Sequence, residues 1–198
     1  MIETEEISLK PVVRLAPQIG MLPDHEFAVI WNLWDEVGGN FLEIGTSSGL
    51  TTRALAIGRS WAQVFTVDVR SPNDVHEHQR NEHPGSQLGY FSLGLSNVFH
   101  FANGFENFDV RKKGIRMVFI DGDHREESVW RDSESALALS GDGERFIIAW
   151  HDYEDNGRDD CSWLGVGPAV RRLAARYGLA IKHAKDTRIA FWRSWQHA

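Results

Sequence analysis

Apolar positions along the chain change their spacing several times, and each change marks an expected element. One helical stripe consists of Phe27, Ile30, Trp31 and Trp34. Its three- and four-residue intervals predict a helix between Pro23 and Gly38. Short runs rich in Val, Ile and Phe follow at 41–44, 64–67, 98–102, 115–120 and 145–150. These runs predict strands, with helices between several of them.

Strands that alternate with helices are typical of a doubly wound α/β fold with a mainly parallel sheet. A helix after Pro168 and an antiparallel hairpin at 179–184 and 189–192 complete the pattern. Parallel strands end at one edge, where open α/β sheets bind ligands. The polar residues at or just beyond the predicted strand ends are Glu43, Asp68, Asn103, Asp121 and Asp152. We therefore expect these residues to gather at that edge.

The length of 198 residues predicts one domain, 1–198, with an irregular arm at 1–22 and a core at 23–198. Lys and Arg number 21 against 28 Asp and Glu, a net charge of −7 that disfavours a nucleic-acid partner. The single cysteine, Cys161, cannot form an intrachain disulfide. With no signal peptide or membrane span in the pattern, we expect a cytoplasmic protein with a small-molecule partner. The sequence is also compatible with a homo-oligomer. The arm at 1–22 would then be a contact between subunits, or it could be a lid over the site.

Residues 43–49 read EIGTSSG, a pattern typical of a turn between a strand and a helix. Gly45 and Gly49 would let the backbone turn tightly and let a ligand approach closely. The acidic Glu43 suits a cationic ligand, and the glycine spacing differs from the dinucleotide pattern G-x-G-x-x-G. The alternative is that both glycines serve only a tight connection.

Asp68 ends the second predicted strand, 25 residues after Glu43. A carboxylate at this place can accept two hydrogen bonds from a ribose diol. The alternative is a solvated aspartate that caps the next helix.

With these motifs, and with IDGDH at 120–124 and HDY at 151–153, the sequence resembles class I S-adenosylmethionine-dependent methyltransferases. Within that group it is most similar to the small-molecule and sugar O-methyltransferases related to the macrocin and mycinamicin enzymes. The resemblance spans about residues 40–193. It implies a Rossmann-like sheet of seven strands, mainly parallel, with an antiparallel C-terminal strand. It also implies S-adenosylmethionine as the cofactor.

The resemblance further implies the roles of individual residues. Those expected to bind the cofactor are Glu43, Gly45, Thr46, Ser47, Gly49, Asp68, Asn103, Gly104 and Asp121. Asp121 and Asp152 correspond to ligands of a divalent ion, usually magnesium, and His124 corresponds to a catalytic base. Relatives often carry Glu or Asp where this chain has His151, and an imidazole there suits zinc or iron better than magnesium. His151 is thus a candidate metal ligand. Side chains alternate along a strand, however, so His151 and Asp152 are expected to point to opposite faces, which favours a place for His151 beside the metal ligands rather than among them.

The chemistry of methyl transfer supports these assignments independently. A hydroxyl attacks a sulfonium methyl group in line, so the enzyme must position both groups and remove a proton. A metal on the hydroxyl would lower its pKa, and His124 could take the proton. Two carboxylates at neighbouring strand ends repel each other unless a cation or a proton lies between them, which favours the metal. His124 as a mere helix cap is the alternative.

Two other functions compete with the methyltransferase interpretation. One is a nucleotide-binding oxidoreductase of similar topology, which the glycine spacing disfavours. The other is a catalytically silent module that binds S-adenosylmethionine, which only turnover can distinguish.

Overall fold

The computed structural model describes residues 2–10, 22–68, 88–102, 113–141, 144–154 and 165–196. The strands are β1 (Glu3–Glu5), β2 (Asn40–Ile44), β3 (Val64–Asp68), β4 (Val98–Ala102), β5 (Ile115–Ile120), β6 (Ile147–Trp150), β7 (Lys182–Ala184) and β8 (Ala190–Arg193). The helices are α1 (Asp24–Val37), α2 (Leu50–Gly58), α3 (Glu126–Leu137) and α4 (Val166–Tyr177). Tyr90–Ser92 forms a single 3-10 turn.

The strands form one sheet in the order β1-β7-β8-β6-β5-β2-β3-β4. Neighbours pair in parallel throughout, except that β8 runs antiparallel to both β6 and β7. The predicted fold class is therefore confirmed, including the antiparallel C-terminal strand and its hairpin. The eighth strand is β1, which the sequence pattern did not predict.

Helices cover both faces of the sheet, and the pleat divides the core between them. On one face, α1 and α2 pack against strand residues such as Phe41, Val64 and Phe119. On the other face, α3 and α4 pack against the alternate set, such as Leu42 and Val118. Since side chains alternate along a strand, a strand buried on both faces reads as the continuous apolar run seen in the sequence.

The first residues of the predicted irregular arm belong to the sheet. Glu3–Glu5 pairs in parallel with β7, and Arg193 on β8 donates hydrogen bonds to Glu5 and to Glu36 on α1. The expectation of an irregular segment was thus wrong for these three residues. A polar run of three residues carries no apolar alternation, so backbone pairing and ion pairs hold it instead. Residues 11–21 of the arm lie outside the described residues, and so does the polar segment at 74–82, whose sequence is compatible with a helix.

The carboxyl ends of the central strands carry the polar residues that the sequence placed there. Asp68 is the last residue of β3, Asp121 directly follows β5, and Asp152 lies two residues beyond β6. Because β2, β3, β5 and β6 are parallel, these residues share one edge of the sheet. That edge holds the candidate active site.

Candidate active site

The turn after β2 lies directly against the end of β5. The backbone N–H of Asp121 donates to the carbonyl of Ile44 at 2.8 Å. Gly45 has a φ of +106°, and a Cβ added there would lie 2.2 Å from the carbonyl oxygen of Asp121. Only glycine permits this approach. Among the described residues, the missing side chain makes room for protein backbone, which supports the tight-connection alternative for this glycine.

The same turn meets the end of β3 through a carboxylate. The backbone N–H of Ser47 donates to Oδ2 of Asp68 at 3.3 Å, and Asp68 is buried. Gly49 then precedes α2 with a φ of +82°, and a Cβ there would clash with Ser92 and Gly89. The turn at 45–49 and Asp68 therefore form one continuous surface at the sheet edge. Asn103 and Gly104, also predicted for the cofactor, lie outside the described residues.

Glu43 lies within the sheet and supports the turn from below. Its Oε2 accepts hydrogen bonds from the hydroxyls of Thr52 and Thr66, and Thr66 in turn contacts the hydroxyl of Thr46 at 2.7 Å. Burial raises the pKa of the Glu43 carboxyl to about 8, and the charge of Asp121 adds to this effect. Glu43 is therefore neutral at neutral pH, held by threonine hydroxyls rather than by an ion pair.

Asp121, His124 and Asp152 converge in a group that we call the acid–histidine centre. Nε2 of His124 lies 2.9 Å from Oδ2 of Asp152 and 4.0 Å from Oδ1 of Asp121. One ligand atom of each of the three residues lies within 4.8 Å of the others. The geometry therefore brings together the predicted base and both predicted metal ligands.

The pKa values of the base and its partner shift in opposite directions. The hydrogen bond to Asp152 raises the pKa of His124 above its usual value, and it outweighs the effect of burial. Burial alone would raise the pKa of Asp152, but the bond from His124 and the nearby charges of His151 and Arg188 lower it below its usual value. Asp152 is thus an anion that stabilises a proton on His124.

His151 lies between two carboxylates. Its Nδ1 is 2.9 Å from Oδ1 of Asp121, and its Nε2 is 3.0 Å from Oε2 of Glu26. Despite burial, which lowers it, the pKa of His151 is raised to about 10 by these two contacts. Both ring nitrogens therefore face carboxylate oxygens, and the group that could hold a metal among the described residues is Asp121, His124 and Asp152, without His151. The geometry favours a place for His151 beside the candidate metal ligands over a role as a ligand itself.

The side chains of His151 and Asp152 nevertheless face the same centre, since Nδ1 of His151 lies 3.5 Å from Oδ2 of Asp152. The expectation that they point to opposite faces was wrong. Strand β6 ends at Trp150, and Asp152 has a φ of +54°, so the alternation of a strand no longer applies.

Sequence reasoning missed two residues of this region. Glu26, in the first turn of α1, is 2% exposed and reaches His151, while Nη1 of Arg188 lies 2.6 Å from Oδ1 of Asp152. The two also meet, because the backbone N–H of Arg188 donates to Oε1 of Glu26 at 2.7 Å. The only available signal was the acidic residue at position 26 inside an apolar helical stripe, and it names no partner.

A cavity of about 520 Å³ adjoins the acid–histidine centre on the side of β7. Its lining includes Glu26 and Arg188, the turn of the β7–β8 hairpin, and Tyr153 and Glu154 beyond β6. Glu26 and Arg188 line the cavity and also contact His151 and Asp152, so they connect the cavity to the centre.

A family of sequences described as a methyltransferase domain matches residues 42–153, more than half of the chain. The match begins in β2 and ends just past His151 and Asp152. The chain belongs to this methyltransferase family. It is an S-adenosylmethionine-dependent methyltransferase, and the oxidoreductase alternative is therefore wrong. No curated protein matches the sequence.

Solved methyltransferases share the fold at low sequence identity. A protein described as a candidate caffeoyl-CoA O-methyltransferase from Staphylococcus aureus is 16% identical, with a TM-score of 0.61 over 87% of this chain and 84% of its own. The calicheamicin methyltransferase CalS11 is 14% identical, with a TM-score of 0.54 over 87% and 78%. An RNA methyltransferase from Salinibacter ruber, solved with S-adenosylhomocysteine, is 12% identical, with a TM-score of 0.51 over 87% and 92%. These likenesses concern the fold, and they span enzymes described with different substrates.

The methyltransferase contains no membrane-spanning candidate among its described helices, since each is too short or too polar to cross a bilayer.

Because Glu43 is buried, we expect the free energy of unfolding to depend on pH in a specific way. The folded chain keeps this proton up to a pKa of about 8, whereas the unfolded chain releases it near 4.5. Its contribution to stability is therefore complete below 4.5 and declines as the pH rises to 8. We expect Glu43→Gln, which stays neutral, to gain up to about 1.4 kcal/mol per pH unit relative to the wild type across that window. Denaturant unfolding of both proteins measures this, and a difference that is constant from pH 5 to pH 8 would contradict the neutral carboxyl.

We expect Asp68 to contribute measurably to the affinity for the cofactor. We expect Asp68→Ala to weaken binding of S-adenosylhomocysteine by about 1.5–3 kcal/mol, the usual worth of hydrogen bonds to a charged group. Titration calorimetry measures this, with Asp186→Asn, on the β7–β8 turn, as a control that should bind normally. Unchanged affinity in a folded Asp68→Ala protein would remove Asp68 from the cofactor site.

Proposed function

We propose that this enzyme transfers the methyl group of S-adenosylmethionine to a hydroxyl of a small molecule, with a sugar hydroxyl as the preferred acceptor. The observation that carries the proposal is the contact of 2.9 Å between His124 and Asp152, at the same sheet edge as the turn at 45–49. A hydroxyl is a weak nucleophile until its proton is removed, and this pair is built to remove a proton.

The residues near the turn fit the cofactor. Asp68 offers a buried carboxylate at the end of β3, beside the N–H of Ser47, where a ribose diol could donate hydrogen bonds. The turn at 45–49 would lie against the methionine portion. The bound cofactor supplies an electrophilic methyl group, so the chain itself needs only to orient the acceptor and take its proton.

His124 takes the role of base in this proposal. Asp152 accepts its hydrogen bond, which orients the ring and stabilises the imidazolium that forms when the acceptor's proton arrives. Arg188 holds the other oxygen of Asp152 at 2.6 Å, so the carboxylate stays ionised and fixed.

A divalent ion forms the second part of the proposal. Asp121 and Asp152 offer carboxylate oxygens within 4.8 Å of each other, the kind of ligand that a magnesium or manganese ion uses, and His124 lies beside them as the base. A bound ion would lower the pKa of the acceptor hydroxyl. His151 and Arg188 already supply positive charge to the two carboxylates, however, so repulsion between carboxylates no longer argues for the ion.

The lining of the 520 Å³ cavity supports a hydroxyl-rich acceptor. The side chains of Lys185 and Arg188 donate hydrogen bonds, whereas the carboxyl oxygens of Glu154 and Asp186 accept them. A hydroxyl group both donates and accepts hydrogen bonds. A molecule with several hydroxyls can therefore pair with the donor and with the acceptor side chains of this cavity at once.

Replacing the base should lower turnover much more than binding. We expect His124→Ala to reduce methyl transfer roughly 10²–10⁴-fold, the usual contribution of a positioned general base, with little change in cofactor affinity. Because His124 must be deprotonated to act and its pKa is raised, the wild-type rate should increase with pH through a value above 6.5. The assay follows S-adenosylhomocysteine formed with a panel of sugars and phenols. Undiminished turnover in the variant would exclude His124 as the base, and absence of turnover in the wild type with every acceptor would favour the silent module.

Chelation separates the metal-assisted version from the base-only version. We expect excess chelator to suppress methyl transfer, and added magnesium or manganese to restore it, because the ion would activate the acceptor. Asp152→Ala should abolish this rescue while leaving calorimetric binding of S-adenosylhomocysteine largely intact. Full activity in chelator would end the metal proposal and leave His124 and Asp152 as a metal-independent base pair.

A further inference from the structure

Glu26 lies on α1, outside the family match at 42–153, yet it contacts His151 and Arg188 beside the acid–histidine centre. Its carboxylate is buried, at 2% exposure, and each oxygen has a different partner. Oε2 accepts from Nε2 of His151 at 3.0 Å, and Oε1 accepts from the backbone N–H of Arg188 at 2.7 Å.

Each of these two partners in turn contacts a carboxylate of the acid–histidine centre. His151 contacts Oδ1 of Asp121 at 2.9 Å, and Arg188 contacts Oδ1 of Asp152 at 2.6 Å. We propose that Glu26 is a positioning residue that sets the orientation of both Asp121 and Asp152, through His151 on one side and Arg188 on the other. This inference rests on the proposed function, because it concerns the same centre.

The two aspartates need such support because the sheet does not hold their side chains. Asp121 follows the last residue of β5, and Asp152 lies two residues beyond β6 with a φ of +54°. This region of φ and ψ is sparsely populated for residues other than glycine. A residue adopts it stably only where surrounding contacts fix it. Both oxygens of Asp152 are engaged, one by His124 and one by Arg188, and Arg188 is itself anchored on Glu26.

A purely structural role is the competing explanation, since Glu26 also ties α1 to the β7–β8 hairpin. Glu36 provides a matched control for that role. It lies on the same helix and accepts two hydrogen bonds from the buried Arg193, at 2.8 and 2.9 Å, but within the described part of the chain it makes no contact with the centre. Loss of either carboxylate should lower stability, whereas only loss of Glu26 should disturb the centre.

The test compares Glu26→Gln with Glu36→Gln in the full chain saturated with S-adenosylhomocysteine. The first measurement is the ring ¹⁵N spectrum of the histidines, with the signals of His124 and His151 assigned by single substitutions. The second is the affinity for manganese alone, followed by electron paramagnetic resonance. We expect Glu26→Gln to move both ring signals and to weaken manganese binding about 10–100-fold, the usual effect of losing a group that orients metal ligands. Glu36→Gln should leave both readouts unchanged, and both variants should bind S-adenosylhomocysteine normally.

An unmoved His124 signal and unchanged manganese affinity in folded Glu26→Gln would overturn the inference, as would equal effects of the two variants. If Glu26→Gln does not fold, Glu26→Asp undergoes the same comparison, because it keeps the charge and shortens the reach. Failure of the wild type to bind manganese would count against the proposed metal alone, since the His124 signal still reports on Glu26. Failure to bind S-adenosylhomocysteine would instead count against the proposed cofactor site.

Discussion

The close approach of the β2 turn to the end of β5 is the constraint on which the site depends. Gly45 has no side chain where the backbone of Asp121 passes, and the N–H of Asp121 bonds the carbonyl of Ile44. This contact fixes the distance between the expected cofactor turn and the acid–histidine centre. In a methyltransferase that distance must match the separation of donor and acceptor, because an in-line displacement tolerates little error. A glycine that looks like part of a ligand cradle therefore serves first as a joint between two strands.

The buried carboxyl groups of Glu43 and of the acid–histidine centre differ in their partners and in their charge. On the cofactor side, Glu43 is neutral, bonded to threonine hydroxyls inside the sheet. On the acceptor side, the carboxylates of Glu26, Asp121 and Asp152 are ionic partners of His151, His124 and Arg188. In the proposed reaction, the ion pairs lie where the proton of the acceptor is taken, and the glutamate beneath the cofactor turn is neutral. Preorganised charges of this kind are effective because they need no rearrangement during the reaction.

The sequence predicted the central sheet and the gathering of residues at its edge, because both follow from local patterns. Apolar runs buried on two faces mark β2, β3, β5 and β6, and acidic residues mark their ends. The hairpin and its antiparallel strand were likewise visible. Strand β1 was not, since its polar residues are held by backbone pairing and by Arg193, which lies far away in sequence. The partners of Glu26 are 125 and 162 residues distant, and no local pattern encodes them.

His151 and Glu26 depend on each other, and this explains why His151 is compatible with the fold. The sugar-modifying enzymes that the sequence resembles often carry an acidic residue at the place of His151. A carboxylate there would face the buried Glu26 on one side and Asp121 on the other, so three like charges would meet with little water between them. The imidazole replaces that repulsion with two charge-assisted hydrogen bonds, each to a carboxylate. An acidic residue at 151 would therefore need a cation, a proton or a different residue at 26, whereas the histidine links α1 to Asp121 without any of these.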